Sequence, residues 1–335
     1  MRSKRGAGNP SPGEAGTSAR ACAVLNARHM NGTVFVYSSH DRGHYLHDRF
    51  LARRALGGWA NKRIVFLPMS DDAQEFSWGN FRWFFDRYAH QGLEYFPFYW
   101  SPHLSKGDVD QLWHQVANAE VLVLGGGHSL TGLDRYKELG ARFDGEWGKF
   151  GRLLHERQAR GLFTVGFSAG ADQLGQRLFR DTYSKPGHNE GFGLARNVMV
   201  KLHHEPSENG DLRWAAMKYR GERVFGLPND SGLHVAQGVL PSGNLWQVIE
   251  FVIDNSWDAP QDAHHVKTRH GAKIEHFYPD GRHWSFGGGD HLVRIRSSDF
   301  AFDESWIVPA GGGVIHYGTH ARDGYAGIDH LLAAH

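Results

Sequence analysis

Two short apolar runs in this chain each end in a glycine-rich turn, and that pairing narrows the folds open to it. Leu162-Phe163-Thr164-Val165 runs into Gly166-Phe167-Ser168-Ala169-Gly170-Ala171, with a helix-like segment from Asp172 to Leu178. Upstream, Glu120-Val121-Leu122-Val123-Leu124 runs into Gly125-Gly126-Gly127-His128-Ser129. Buried strands that end in glycines are the places where α/β sheets hold ligands. At the first turn, Gly166 and Gly170 let the backbone reverse without a side-chain clash, so Ser168 Oγ stands exposed at the sheet edge. The G-x-S-x-G spacing of a nucleophile elbow therefore nominates Ser168 as a nucleophile. At the second turn, three glycines offer backbone N–H groups to the same crevice. Gly126, Gly127 and Ala169 are the candidate oxyanion donors. The triple glycine lacks G-x-G-x-x-G spacing and no Walker lysine follows, which argues against a nucleotide loop.

Together the two motifs resemble the serine peptidases typified by peptidase E (aspartyl dipeptidase) and cyanophycinase, over roughly residues 33 to 255. The resemblance implies a class I glutamine amidotransferase-like, flavodoxin-like fold with serine at the elbow. It also implies hydrolysis of small peptides next to aspartyl residues, with no metal and no organic cofactor. The family's histidine follows a Gly-Leu-Gly-like element and a short apolar strand. Here Gly191-Phe192-Gly193-Leu194 and then Asn197-Val198-Met199-Val200-Lys201-Leu202 lead to His203-His204. The resemblance places the catalytic imidazole at His203, with His204 one residue further on. Neighbours on a strand point to opposite faces, so only one of the two can meet Ser168. The chemistry asks that imidazole to act first as base and then as acid to the leaving amine.

The third member departs from the family. Arg223-Val224-Phe225-Gly226-Leu227-Pro228 is similar to the family strand that ends in Gly-Leu-Pro-Glu, but Asn229-Asp230 stands where that glutamate is expected. Asparagine can orient an imidazole without stabilising its charge, whereas Asp230, Glu205 or Glu208 would supply a carboxylate. His128 follows the triple glycine where the family often has Asn, Asp or Gln; it would alter substrate choice or cap the next helix.

Net charge is +1, from 37 Lys and Arg against 36 Asp and Glu, which gives no electrostatic case for nucleic acid or an anionic membrane as partner. A single cysteine, Cys22, excludes an internal disulfide framework and suits a cytoplasmic protein. Residues 1–29 are rich in Gly, Ser, Arg and Pro, hold one acidic residue and lack the apolar core of a secretory signal, so they read as a disordered tail. A homo-oligomer is left open by the sequence.

From about residue 30 to 255, strand and helix signals alternate, the pattern of a doubly wound, mostly parallel α/β sheet. Strands are expected at Thr33–Tyr37, Arg63–Pro68, Leu93–Phe98, Glu120–Leu124, Leu162–Phe167, Val198–Leu202 and Arg223–Leu227. Helices are expected at Asp48–Leu56, Asn80–His90, Lys106–Asn118, Trp147–Arg160 and Asp211–Tyr219. Residues 256–335 change to short β-type runs between Gly and Asp turns, a β-rich C-terminal extension that the peptidase family does not supply. Two other chemistries fit parts of the chain. His40, His44 and His47 with His203-His204 and Glu205 would suffice for zinc, yet no H-E-x-x-H spacing is present. An esterase of the α/β-hydrolase type would use a histidine far downstream, such as His316 or His320. A binding module that kept the crevice and lost its triad is the non-enzymatic alternative.

Overall fold

The computed structural model describes residues 32–39, 62–86, 92–179, 190–253 and 270–335. The tail, Cys22, the helix expected at Asp48–Leu56 and the histidines at 40, 44 and 47 lie outside the described residues. Within them, the first half lays down β1 (Val34–Tyr37), β2 (Arg63–Leu67), α1 (Gln74–Phe85), β3 (Glu94–Pro97), α2 (Lys106–Asn118), β4 (Val121–Leu124), α3 (Ser129–Asp144), α4 (Lys149–Ala159), β5 (Phe163–Phe167) and α5 (Ala169–Leu174). The second half adds β6 (Val198–Leu202), a 3-10 turn at Pro206–Glu208, α6 (Asn209–Lys218), β7 (Arg223–Leu227), β8 (Ser231–Val239) and β9 (Leu245–Ile253). It ends with β10 (Ile274–Phe277), β11 (His283–Phe286), β12 (His291–Arg296), β13 (Asp303–Val308), β14 (Ile315–His316) and α7 (Ile328–Ala334).

The local causes are plain. β1 and β4 read Val-Phe-Val-Tyr and Val-Leu-Val-Leu, and every residue of both is buried, as in a strand covered on two faces. α2 opens on a capping box in which Ser105 and Asp108 satisfy each other's backbone N–H. Its Val109, Leu112, Trp113 and Val116 recur at helical spacing and are the residues it buries. α3 stops at Gly145, which takes the left-handed conformation that closes a helix end.

Two sheets result among the described residues. The larger has ten strands in the order β14-β13-β12-β9-β8-β1-β5-β4-β2-β3, and the smaller has four in the order β11-β10-β7-β6. The stretch β1-β5-β4-β2-β3 is parallel. Everything beyond β1 on the other side is antiparallel. A large apolar core lies between the sheets, where Phe251 of β9 stacks on Phe286 of β11 with ring centres 3.8 Å apart. α6 covers the outer face of the small sheet with Leu212, Ala215 and Ala216 against Val224 and Phe277.

This architecture overturns the expected doubly wound, mostly parallel sheet of the flavodoxin-like or class I glutamine amidotransferase-like kind. The large sheet is mixed, and five of its nine pairings are antiparallel. Two causes are identifiable. Val198–Leu202 and Arg223–Leu227 were expected in the parallel sheet but form the parallel pair of the second one. The nine-residue strands β8 and β9 were not foreseen at all, because Gly232, His234, Gln237, Gln247 and Glu250 interrupt their apolar pattern. The short turn between β8 and β9 obliges them to run antiparallel. Residues 274–316 then add strands to both sheets, β10 and β11 to the small one and β12 to β14 to the large one. No helix among the described residues is long and apolar enough to cross a membrane.

His276 in β10 shows how the inter-sheet core treats a polar ring. It is completely buried, stacks on Phe225 at 4.6 Å, and donates from Nδ1 to Val224 O at 2.8 Å, while Nε2 has no partner. Burial pushes this imidazole down to about 3, against the opposing pull of the Val224 carbonyl. The unfolded chain takes up the proton near pH 6.5, so stability is complete above that pH and drains away as pH falls toward 3. We expect urea unfolding to show a loss of up to about 3 kcal/mol by pH 4 from this group. His276→Phe should flatten that slope relative to the unmodified protein.

Candidate active site

Four chain segments converge where the two sheets meet at one end. β1 leads into Ser38 and Ser39, β5 leads into Ser168, and β6 leads into His203. The link Pro228–Asp230 passes from β7 in the small sheet to β8 in the large one. The turn at Ser168 is held by main-chain contacts. Ser168 N–H donates to Tyr37 O at 2.9 Å, and Gly170 N–H donates to Gly125 O at 3.1 Å. A Cβ on Gly170 would overlap the Leu124 carbonyl, and one on Gly166 would overlap the backbone at Gly170 and Ala171. Both glycines are therefore required by close backbone approach. Ser168 sits at φ 49° and ψ −117°, outside the comfortable regions for an L-residue. His203 and Asp230 are also left-handed, at φ 54° and 56°. Three strained non-glycine residues in one place is the distribution expected of a functional site.

The side chains line up as a relay. Ser168 Oγ lies 3.4 Å from His203 Nε2, a long hydrogen bond of the kind that tightens when substrate binds. His203 Nδ1 lies 2.8 Å from Asn229 Oδ1. An amide oxygen can only accept, so Nδ1 carries the proton and Nε2 presents its lone pair to the serine. Ser39 Oγ donates to Asn229 Oδ1 and lies 3.4 Å from Nδ1, which orients the amide. Ser38 Oγ accepts the His203 backbone N–H at 3.0 Å and pins the strained residue. His203 is exposed and Ser168 half-buried, so the pair is open to a ligand.

Of the alternatives the sequence left open, the geometry separates several. His204 turns away: it is buried against Gly226, its Nε2 is 2.9 Å from Asn209 Oδ1, and burial pushes it below the usual imidazole value. Asn229 is the side chain at His203 Nδ1, whereas Asp230 gives its backbone N–H to Ser39 O at 2.8 Å. Glu208 is engaged by the Glu205 N–H and by Lys201. His316, on edge strand β14, bonds Glu304 of β13, and His320 lies beside Trp284. β14 stands six strands from β5, roughly 29 Å away, so neither histidine reaches Ser168. Among the described residues no group of three His, Cys, Asp or Glu is arranged to hold a metal.

The glycine loop stands beside the serine. Gly125 and His128 commit their N–H groups to Leu67 O and Ser70 O, leaving those of Gly126 and Gly127 between them. A Cβ on Gly126 would lie 3.4 Å from Ser168 Cβ, and Gly127 has φ 126°. Ala169 occupies the first turn of α5, where an N–H has no partner within the helix. His128 precedes α3 with no side-chain cap, and its ring is exposed. A buried brace holds the loop to the elbow helix: Gln173 Nε2 donates to Ser70 Oγ and Ser129 O, both at 2.8 Å, and Ser129 Oγ donates to Asp172 at 2.9 Å. Ser38 and Ser39 were missed by the sequence reading. The signal available was their place at the carboxyl end of the first strand.

In fold, the chain is similar to the crystal structure of a peptidase from an acI-B1 Actinobacterium, with TM-score 0.52 and 16% identity over 78% of this chain and 97% of that one. No protein-family model matches the chain. No curated protein matches it.

The elbow's dependence on close backbone contact gives a direct test. Gly170→Ala should lower unfolding stability by about 2–3 kcal/mol in urea titrations, since the added methyl has no room. Gly210→Ala, in α6 with open space around it, should instead raise stability by about 0.5–1 kcal/mol.

Proposed function

We propose that this chain is a serine hydrolase of the peptidase type that cleaves a small peptide or isopeptide amide through an acyl-enzyme. The observation that carries the reading is the run Ser168 Oγ, His203 Nε2, His203 Nδ1, Asn229 Oδ1, with a strained serine at its head. Ser168 attacks the scissile carbonyl while His203 takes its proton, and the same imidazole returns it to the leaving amine. The backbone N–H groups of Ala169 and of Gly126 or Gly127 hold the oxyanion. Asn229 and Ser39 keep the proton on Nδ1, so Nε2 remains the base; as a neutral group, Asn229 orients the imidazolium without adding charge to stabilise it.

The finer assignment, kinship with peptidase E and cyanophycinase and a preference for bonds next to aspartyl residues, rests on the sequence motifs. It is supported by the order Gly125-Gly126-Gly127, Ser168, His203 along the chain. The fold-level likeness to a solved peptidase bears only on the coarser reading, a peptidase.

A fluorophosphonate probe reports directly on an activated serine. The native protein should label, and Ser168→Ala should abolish labelling. His203→Ala should slow it by roughly 10³-fold or more while His204→Ala retains it. Ser39→Ala, with Asn229 kept, should slow labelling by about tenfold without loss of stability. Absence of labelling in the native protein, or labelling that persists in Ser168→Ala, rejects the serine mechanism. A screen of Asp-X and β-aspartyl dipeptides tests the substrate, and cleavage confined to peptides without aspartyl residues rejects the finer assignment.

A further inference from the structure

The inner face of the ten-stranded sheet changes character at the end remote from Ser168. Cross-strand register sets Gln237 beside Gln247, Gln247 beside Arg294, and Arg294 beside Ser305. These positions share the face that carries Leu233, Ile249, Leu292 and Ile307, so the row lies toward the small sheet, and all four are buried. Arg223 of β7 reaches into it, donating to Asp303 Oδ1 at 3.1 Å and Ser305 Oγ at 3.3 Å. Arg294 takes the same carboxylate through Nε and Nη2 at 2.8 and 2.6 Å. One carboxylate thus serves two guanidinium groups whose side chains are only 4% and 5% exposed.

The row opens into a small pocket of about 30 Å³, where Arg196 and Arg296 add two further positive charges. Neither forms an ion pair among the described residues; Arg296 lies over the Phe300 ring at 4.5 Å. Burial, together with Arg294, Arg223 and Arg196, pushes Arg296 below its usual value, against the opposing pull of Asp303. Arg223 and Arg294 are buried while Arg196 and Arg296 are half-buried at the mouth, and four guanidinium groups around the Asp303 carboxylate leave an excess of positive charge that an anion would correct. Gln247 supplies an independent observation. Its Nε2 donates to Arg196 O at 2.9 Å and Gln237 Oε1 at 3.1 Å, while its buried Oε1 accepts nothing among the described residues; Gln247 is one of the residues that line the pocket. An unmet buried acceptor calls for a ligand that also donates.

We propose that this pocket binds inorganic phosphate, its oxyanions held by Arg196, Arg294 and Arg296 and its P–OH donating to Gln247 Oε1. Phosphate near neutral pH carries both kinds of group, whereas sulfate and a phosphomonoester dianion lack the donor. The pocket is separate from the serine site. Gln237 lies five residues along β8 from Gly232, which pairs with Tyr37 beside Ser168, so about 17 Å of strand intervenes. Binding here is therefore independent of whether Ser168 is a nucleophile.

Isothermal titration of the full chain with inorganic phosphate, at constant ionic strength, tests this. Saturable one-to-one binding is expected, with a matching rise in melting temperature. Sulfate and glycerol phosphate should bind about tenfold or more weakly. Arg196→Ala and Arg296→Ala, which leave the Arg294–Asp303 pair intact, should each weaken phosphate binding by about tenfold or more. Gln247→Met should erase the preference over sulfate, and Arg152→Ala, on exposed α4, should change nothing. Melting curves without phosphate establish that each variant is folded. No saturable binding up to about 20 mM phosphate, or binding untouched by both mouth variants, overturns the site. Equal affinity for sulfate and phosphate overturns the role given to Gln247.

Discussion

Everything at the candidate active site depends on one contact, the approach of the α5 backbone to the end of β4. Gly170 donates to Gly125 O at 3.1 Å and has no Cβ, because the Leu124 carbonyl occupies that space. With Gly166 equally close on the inner side, the chain can turn from β5 into α5 only by forcing Ser168 into a strained conformation. The same contact brings the glycine loop beside the serine, so Gly126 lies next to the hydroxyl it would serve. For the acyl transfer proposed above, a strained, fixed serine beside fixed N–H donors is what preorganisation would mean physically.

The second sheet completes the arrangement. A strand that stayed in the parallel sheet could not bring its end to the serine from above the crevice. β6 and β7 leave that sheet, so His203 arrives from the other layer and Asn229 lies on the link that returns to β8. Ser38 and Ser39, at the end of β1, join the layers by bonding both His203 and Asn229. The site is thus a seam between two sheets, and its geometry is as rigid as the apolar core beneath it. At the other end of the seam the filling becomes polar, where Arg223, Arg294 and Asp303 replace the apolar pairs.

The sequence carried the local half of this picture. Seven strand positions and the glycine turns were legible because burial on both faces and close backbone approach leave short, strong signatures. The arrangement of the strands was not. β6 and β7 look like any other buried parallel strands, so nothing in Val198–Leu202 or Arg223–Leu227 says which sheet they join. β8 and β9 escaped notice because their inward positions include Gln237 and Gln247, polar residues that the tertiary structure buries together.

Ser168 could be named from the chain alone, since a glycine-flanked turn is a local pattern, and the family resemblance pointed to His203 with His204 beside it. The choice of His203 over His204 and of Asn229 over Asp230, and the presence of Ser39, were decided only by folding. Those choices depend on where strand ends from different sheets meet, and side-chain direction at such a meeting is set by contacts between residues as much as 190 positions apart. The sequence determined which turns could hold a reactive serine. The tertiary structure decided which side chains stand around it, because only packing of the two sheets brings them within hydrogen-bonding distance.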